Sequence, residues 1–355
     1  MAELFHKTIS SISAVSEEMR ERAAERHATL TKPQNSLGYL EELGAQLSAI
    51  YGQCPPPLPL PARVCVFAGD HGVQAQKVSP WPQTITEQMA LNIVHGGAAI
   101  NVLARHAGAD VVLYNVGMLC ELPTSETCIN RRIAAGTNDM TKGSAMTEEQ
   151  AFEALEVGIQ AALDAVAAGK KCLIAGELGI ANTTPAAALI RVFTGSGIAE
   201  VTGRGAGADD EMLERKQAVI ASAIAVNQIN RKKPIEVLAE VGGFEHAAMA
   251  GLMLGAAASK VPVILDGAIA CSAALVAAQI CPDTKGYMIA GHVGEEPGIR
   301  AALDHLGLRG LLELNLCLGE GTGAAAALPL VTAAAKIMTE MASFGDESGV
   351  SGEKE

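Results

Sequence analysis

Cys172-Leu173-Ile174-Ala175-Gly176-Glu177-Leu178-Gly179-Ile180-Ala181-Asn182-Thr183-Thr184-Pro185 passes from an apolar run, through an acid flanked by glycines, into a helix signal. Four apolar residues closed by glycine and a polar residue read as a strand buried on both faces. Thr184-Pro185 then reads as a helix N-cap followed by proline at the first helical position. Val64–Phe67 likewise runs into Ala68-Gly69-Asp70-His71-Gly72, Val111–Tyr114 into Asn115-Val116-Gly117, Val263–Leu265 into Asp266-Gly267, and Tyr287–Ala290 into Gly291-His292. Between the second and third of these strands in chain order, Phe152, Leu155, Ile159, Leu163 and Val166 form one apolar helical stripe. Strands alternating with helices predict an α/β fold: a mostly parallel sheet flanked by helices. The ligand crevice of such a sheet lies beyond the carboxyl ends of its strands, where these glycine-acid turns collect.

Residues 1–50 read as helical, with Leu37, Leu40, Leu43 and Leu47 at three- and four-residue steps. The run Cys54-Pro55-Pro56-Pro57-Leu58-Pro59-Leu60-Pro61 ends that region, because consecutive prolines favour an extended linker. From about Gly345 the chain is polar and rich in Gly, Ser and Glu, which predicts a frayed end. The 355 residues carry 49% hydrophobic and 18% charged side chains, enough for a sizeable core. Aromatics are 3% and glycines number 37, a profile of close packing around small side chains, not of stacking platforms for single strands. A net charge of −13 argues against nucleic acid and anionic membrane surfaces as partners. Eight scattered cysteines without a CxxC pair predict reduced thiols packed as small hydrophobes. Met1–Lys7 lacks a basic segment followed by an apolar core, and no run approaches the roughly 18 uninterrupted apolar residues of a membrane span. The expectation is a cytoplasmic protein.

Three glycine-rich segments carry candidate chemistry. In Gly176–Pro185 the glycines let backbone approach a ligand, and the free N–H groups of a helix start favour phosphate. A capped strand-to-helix turn accounts for the same residues, but Glu177 between two glycines has little packing purpose. Gly203-Arg204-Gly205-Ala206-Gly207, with Lys216 in the helix that follows, fits an anion cradle, although taken by itself the segment reads more readily as a flexible loop. Neither G-x-G-x-x-G nor G-x-x-x-x-G-K-[ST] occurs. Gly319-Glu320-Gly321-Thr322-Gly323 places one acid before an Ala-rich helix, as a general base or as a cap on the helix dipole. Asp70-His71 reads as a turn with His71 fixed by Asp70, and His292 stands alone. No metal site is expected.

Together these segments resemble the nicotinate-nucleotide:dimethylbenzimidazole phosphoribosyltransferases of cobamide (vitamin B12) lower-ligand activation. The resemblance rests on Lys32-Pro33-Gln34-Asn35-Ser36-Leu37-Gly38, Gly69–Gly72, Pro82-Gln83 through Gln88-Met89, Gly176–Pro185, Val241-Gly242-Gly243, Leu265-Asp266-Gly267 and Gly319–Ala325, in order over residues 30–330. It implies a homodimer with a Rossmann-like large domain and a small helical domain built from both termini. The divisions are then 1–54, 62–330 and 331–355. The implied reaction moves the 5-phosphoribosyl group of nicotinate mononucleotide onto an aromatic base, releasing nicotinate with inversion at the anomeric carbon and without a cofactor. By resemblance Glu320 is the catalytic base. Gly179, Gly205 and Lys216 hold the 5′-phosphate, Glu177 sits beside the ribose and base, and Trp81, Met89 and Leu178 line the acceptor pocket.

Two departures stand out. Gly291-His292-Val293-Gly294-Glu295-Glu296 replaces a pattern usually read Ser-His-x-Ser-Ala-Glu, so Gly294 lacks a hydroxyl for the phosphate, and Asn115 stands where Asp is usual. Trp81 and Met89 make the acceptor pocket bulky and apolar, which keeps open an O-glycosylating phenol or p-cresol relative that works as a heterodimer with a paralogue. A catalytically silent partner subunit is a further reading. An NAD-dependent oxidoreductase is the alternative of another class, disfavoured by the missing dinucleotide fingerprint.

Overall fold

The apolar runs become strands of one parallel sheet in the computed structural model, which describes residues 2–345. The strands are β1 (Ala62–Gly69), β2 (Ala109–Gly117), β3 (Cys128–Asn130), β4 (Cys172–Leu178), β5 (Val263–Leu265) and β6 (Met288–Ala290). Their order is β3-β2-β1-β4-β5-β6, and every pair is parallel. The direction of winding reverses between β1 and β4, so this doubly wound sheet opens its crevice there. The register sets Phe67 opposite Glu177 and Ala68 opposite Leu178, at the carboxyl end of that pair.

All five runs read from the sequence form strands, the last without Tyr287, which belongs to a short turn of helix at 282–287. β3 was not among them. It is a three-residue edge strand, too short for a periodic signal. Side chains alternate between two cores: Cys65, Phe67, Leu173 and Ala175 enter one, and Val64, Val66, Cys172 and Ile174 the other. The predicted stripe lies on the helix Glu148–Ala167, where Thr147 accepts from Gln150 N and the Gln150 side chain accepts from Thr147 N.

The N-terminal region is three helices, Glu3–Ser11, Glu17–Thr29 and Tyr39–Tyr51, and the proline-rich segment leads directly into β1. The two ends of the chain meet: Arg26 Nε donates to the Met338 carbonyl (2.6 Å), Thr31 N to Ala342 O (2.9 Å) and Phe344 N to Thr29 O (2.8 Å). The first helix instead joins the larger core, Phe5 meeting Phe152 edge-on with ring centres 5.2 Å apart. The helix Thr322–Glu340 runs unbroken through residue 330, so no break in secondary structure marks that position. By length and composition it could cross a membrane, yet Ala324, Leu328, Val331 and Ala335 are buried in the second core. The predicted frayed tail lies beyond the described residues. All eight cysteines are free, and Cys65, Cys128, Cys172 and Cys271 are buried.

Small residues let the central helices touch. Added at Gly251, in the helix Phe244–Ala258, a Cβ would come 2.0 Å from the Leu155 carbonyl oxygen; added at Gly158 it would come 1.8 Å from that of Ala248. Both obstacles are backbone and cannot swing away. Gly251→Val should therefore lower stability by about 3 kcal/mol, the upper part of the usual overpacking range. A denaturant midpoint unchanged from wild type would show that the helices separate freely.

Candidate active site

The carboxyl ends of β1, β4, β5 and β6 surround a cavity of about 520 Å³. Trp81, Met89, Glu177, Leu178, Gly179, Gly205, Lys216, Gly294 and Glu320, singled out in the sequence from widely separated segments, all line it. Its walls are built from the backbone outward.

Gly319, Glu320 and Gly321 take φ values of +92°, +63° and +90°, three left-handed residues in succession. Glycine tolerates this; Glu320 does not without strain of about 1–3 kcal/mol. Glycine is needed at 319 for space as well, since a Cβ there would lie 2.3 Å from Glu177 Oε1. Asp266, just past β5, holds the loop by accepting from the amides of Gly321 (3.1 Å), Gly323 (2.7 Å) and Ala324 (3.1 Å). Those amides open the helix Thr322–Glu340, so Asp266 also complements its dipole. His292 is not alone as expected; its Nε2 lies 3.3 Å from Asp266 Oδ1.

Glu320 is 3% exposed, and its Oε2 has no hydrogen-bond partner. Burial raises its carboxyl above the ordinary range, and the nearby Asp266 charge adds to this despite the Ile100 amide. Glu177 is more enclosed still. Burial pushes its carboxyl up to about 8, with Asp266 and Glu245 adding repulsion. The Asn182 amide donates to Glu177 Oε2 and Glu320 N donates to Oε1 (3.3 Å), which only partly opposes that shift. This use of Asn182 corrects the expected helix start. The helix is Thr183–Thr194 with Asn182 at the N-cap, so Thr184 and Pro185 lie inside the first turn.

Lys216 is 1% exposed, and its Nζ donates to Gly203 O (2.8 Å) and Thr183 Oγ1 (3.0 Å). Burial lowers its pKa, and the Glu296 charge opposes this. Gly205 N donates to Glu296 Oε1 at 2.7 Å. Gly179 is a necessary glycine, since a Cβ there would meet the Gly69 carbonyl oxygen at 2.3 Å. Gly294 is similar: a Cβ would stand 2.8 Å from the Leu316 carbonyl oxygen, so this chain has closed the space a serine would need. Trp81 bridges the cavity's sides, its Nε1 donating to Ala206 O (2.9 Å).

Beneath the cavity floor, His71 is fixed by Glu245, not by Asp70. Its Nε2 lies 2.6 Å from Glu245 Oε1, and His246 Nδ1 lies 2.9 Å from the same oxygen. Asp70 instead accepts from Leu119 N (2.8 Å). The ligand atoms of His71, Glu245 and His246 lie within 4.8 Å of one another, close enough that the three could hold a metal ion. The trio is a proton-sharing cluster: burial opposes charge, but the two histidines hold the Glu245 carboxyl well below its usual range, and Glu245 raises His71. Asn115 is fully buried with both ends of its amide used, Nδ2 toward Cys120 O and Oδ1 from Met118 N, each 3.0 Å. An Asp would set its carboxylate against that carbonyl. Asp266, Asn182, Glu245 and Glu296 received no role from the sequence; Asp266 alone had a signal, its strand-closing position.

The family model described as phosphoribosyltransferase matches residues 12–350. A nicotinate-nucleotide–dimethylbenzimidazole phosphoribosyltransferase of Salinispora tropica is 47% identical, over 98% of this chain and 99% of that protein. The protein of the same name from Chloroflexus aggregans is 47% identical over 99% of each. The crystal structure of CobT from Thermus thermophilus matches with a TM-score of 0.91 at 44% identity, covering 95% of this chain and all of that one (100%). With a parallel sheet opening at its switch point and matches of this extent, the chain belongs to the nicotinate-nucleotide–dimethylbenzimidazole phosphoribosyltransferase family.

Proposed function

We propose that this chain transfers the 5-phosphoribosyl group of nicotinate mononucleotide to 5,6-dimethylbenzimidazole or a similar base, in cobamide biosynthesis, with Glu320 as general base. The observation that carries the assignment of Glu320 is its buried, unpartnered Oε2, on a residue that lines the same cavity as a buried lysine and an apolar wall. The bond between the anomeric carbon and the pyridinium nitrogen breaks, its electron pair returning to nicotinate. A ring nitrogen of the acceptor forms the new bond from the opposite face, and its proton passes to Glu320. Pyridinium is already a good leaving group, so one base and two aligned partners meet the main chemical demand.

Lys216, Gly205 and Gly179 receive the 5′-phosphate in this reading. The third donor of the Lys216 ammonium is open to it, since two are engaged by protein. Glu177, held toward its neutral form by burial and by the acids near it, lies beside the ribose. Trp81, Met89 and Leu178 pack the acceptor ring. A homodimer in the cytoplasm fits Trp81 and Leu318, which line the cavity yet remain 48% and 56% exposed, an apolar surface suited to cover by a second subunit. Helices 17–29 and 39–51 with the C-terminal turns of 322–340 form the small domain. Neither the phenol-activating nor the oxidoreductase alternative gains support from the relatives, and the turn after β1, Gly69-Asp70-His71-Gly72, lacks the dinucleotide glycine spacing.

Glu320→Gln keeps the shape and removes the base. Nicotinate release in the presence of dimethylbenzimidazole should fall about 10²–10⁴-fold. A rate within twofold of wild type would take Glu320 out of the role. The base must be deprotonated to act, so kcat/KM should be lost as pH falls through the Glu320 pKa. Burial places that limb above the roughly 4.3 of a free glutamate. A profile still flat well below that value would contradict the assignment.

A further inference from the structure

The phosphate cradle already holds an anion supplied by the protein. Glu296 reaches over from the segment after β6, and its Oε1 accepts the Gly205 amide at 2.7 Å. Its other oxygen lies so close to the Gly203 backbone that a Cβ there would come within 2.1 Å, so glycine at 203 makes room for this carboxylate. The Lys216 ammonium donates to the Gly203 carbonyl of the same loop, and Glu296 is the acid whose field reaches it. Gly205, Lys216 and Glu296 all line the cavity. An amide and a buried ammonium that would otherwise face an empty anion seat are thus offset by a side chain.

We propose that Glu296 is a resident anion of the phosphate seat, which the 5′-phosphate of the substrate must displace and which reoccupies the seat when product leaves. The inference rests on the phosphate placement given under Proposed function. A phosphate and a carboxylate cannot share one amide, and two like charges a few ångströms apart repel. Exchange keeps the Gly205 N–H paired in both states and leaves a negative charge near the buried Lys216 ammonium when no phosphate is bound. Nicotinate mononucleotide and the transferred product carry the same phosphate, so a resident carboxylate weakens both. It thereby limits trapping of the product in a seat built for its substrate. A simple structural strap would behave differently, because its loss would loosen the loop and weaken phosphate.

Glu296→Gln separates the two, since the amide oxygen still accepts from Gly205 while the charge is gone. The KM for nicotinate mononucleotide and the inhibition constant of inorganic phosphate should both fall about three- to tenfold. The KM for nicotinate riboside, which has no phosphate, should move less than twofold. The rise in Tm on adding inorganic phosphate should be larger than in wild type, a readout independent of turnover. Constants that are unchanged or raised, or a Tm rise no larger than wild type, would overturn the proposal. Lys216→Met run in parallel tests the underlying placement. If it weakens phosphate and nicotinate mononucleotide tenfold while Glu296→Gln fails to tighten them, only the resident-anion role falls. If Lys216→Met leaves both unchanged, the phosphate seat itself is misplaced.

Discussion

Three backbone amides converge on one carboxylate, that of Asp266, and the shape of the cavity follows from them. Gly319, Glu320 and Gly321 are all left-handed, a run that L residues avoid. Charge-assisted hydrogen bonds of about 1.5–3 kcal/mol each are of the size needed to offset the strain at Glu320. Without them the loop would relax, and Glu320 would turn away from Glu177 and the cavity. Asp266 can do this because β5 ends beside the start of the helix Thr322–Glu340, and parallel strands deliver all their carboxyl ends to the same edge.

Four acids then lie close together without being equivalent. Glu245 sits between two histidines and stays ionised. Asp266 is saturated by amides. Glu177, buried and facing other acids, is held toward its neutral form. Glu320 has a buried oxygen without a partner, as Glu245 does, but its carboxyl is raised above normal and not lowered, which makes it a better proton acceptor than a solvated glutamate. Environments that push similar groups apart are how one site assigns distinct roles to identical chemistry. The repulsion that would come from four charges is avoided by pairing two and neutralising a third.

Much of this was legible in the sequence, for a physical reason. A strand buried on both faces must be a continuous apolar run, and a backbone that approaches a ligand must use glycine, so β1, β2, β4, β5, β6 and the three glycine-rich turns announce themselves locally. What was missed depends on contacts between distant parts of the chain. His71 meets Glu245 across 174 residues, and Gly205 meets Glu296 across 91. A local reading assigned His71 to its neighbour Asp70, which the fold instead directs to the Leu119 amide. The helix start at Asn182 was misplaced by the usual preference for a threonine before proline. Here Asn182 is needed by Glu177, and proline is tolerated within the first turn because its missing N–H has no partner there anyway. Position 294 has a long-range aspect too: besides the absent hydroxyl, the Leu316 carbonyl fills the space a side chain would occupy, which no local reading shows.

The division of the cavity between polar and apolar walls fits the proposed reaction. On that proposal the donor half takes a dianionic phosphate and a ribose among glycine amides, a buried ammonium and an acid held toward its neutral form. On the same proposal the acceptor half takes a flat, largely apolar ring whose one essential polar event is loss of a proton, and Trp81, Met89, Leu178 and Glu320 line the cavity for it. An apolar surround serves the second half twice. It excludes water that could attack the same anomeric carbon, and it raises the basicity of the single carboxylate asked to take the proton. A more polar acceptor wall would hold a ring with more hydrogen bonds but would surround Glu320 with donors, stabilising its charge and weakening it as a base. If the proposed roles hold, acceptor specificity and proton transfer draw on the same side chains, so a change to one is expected to disturb the other.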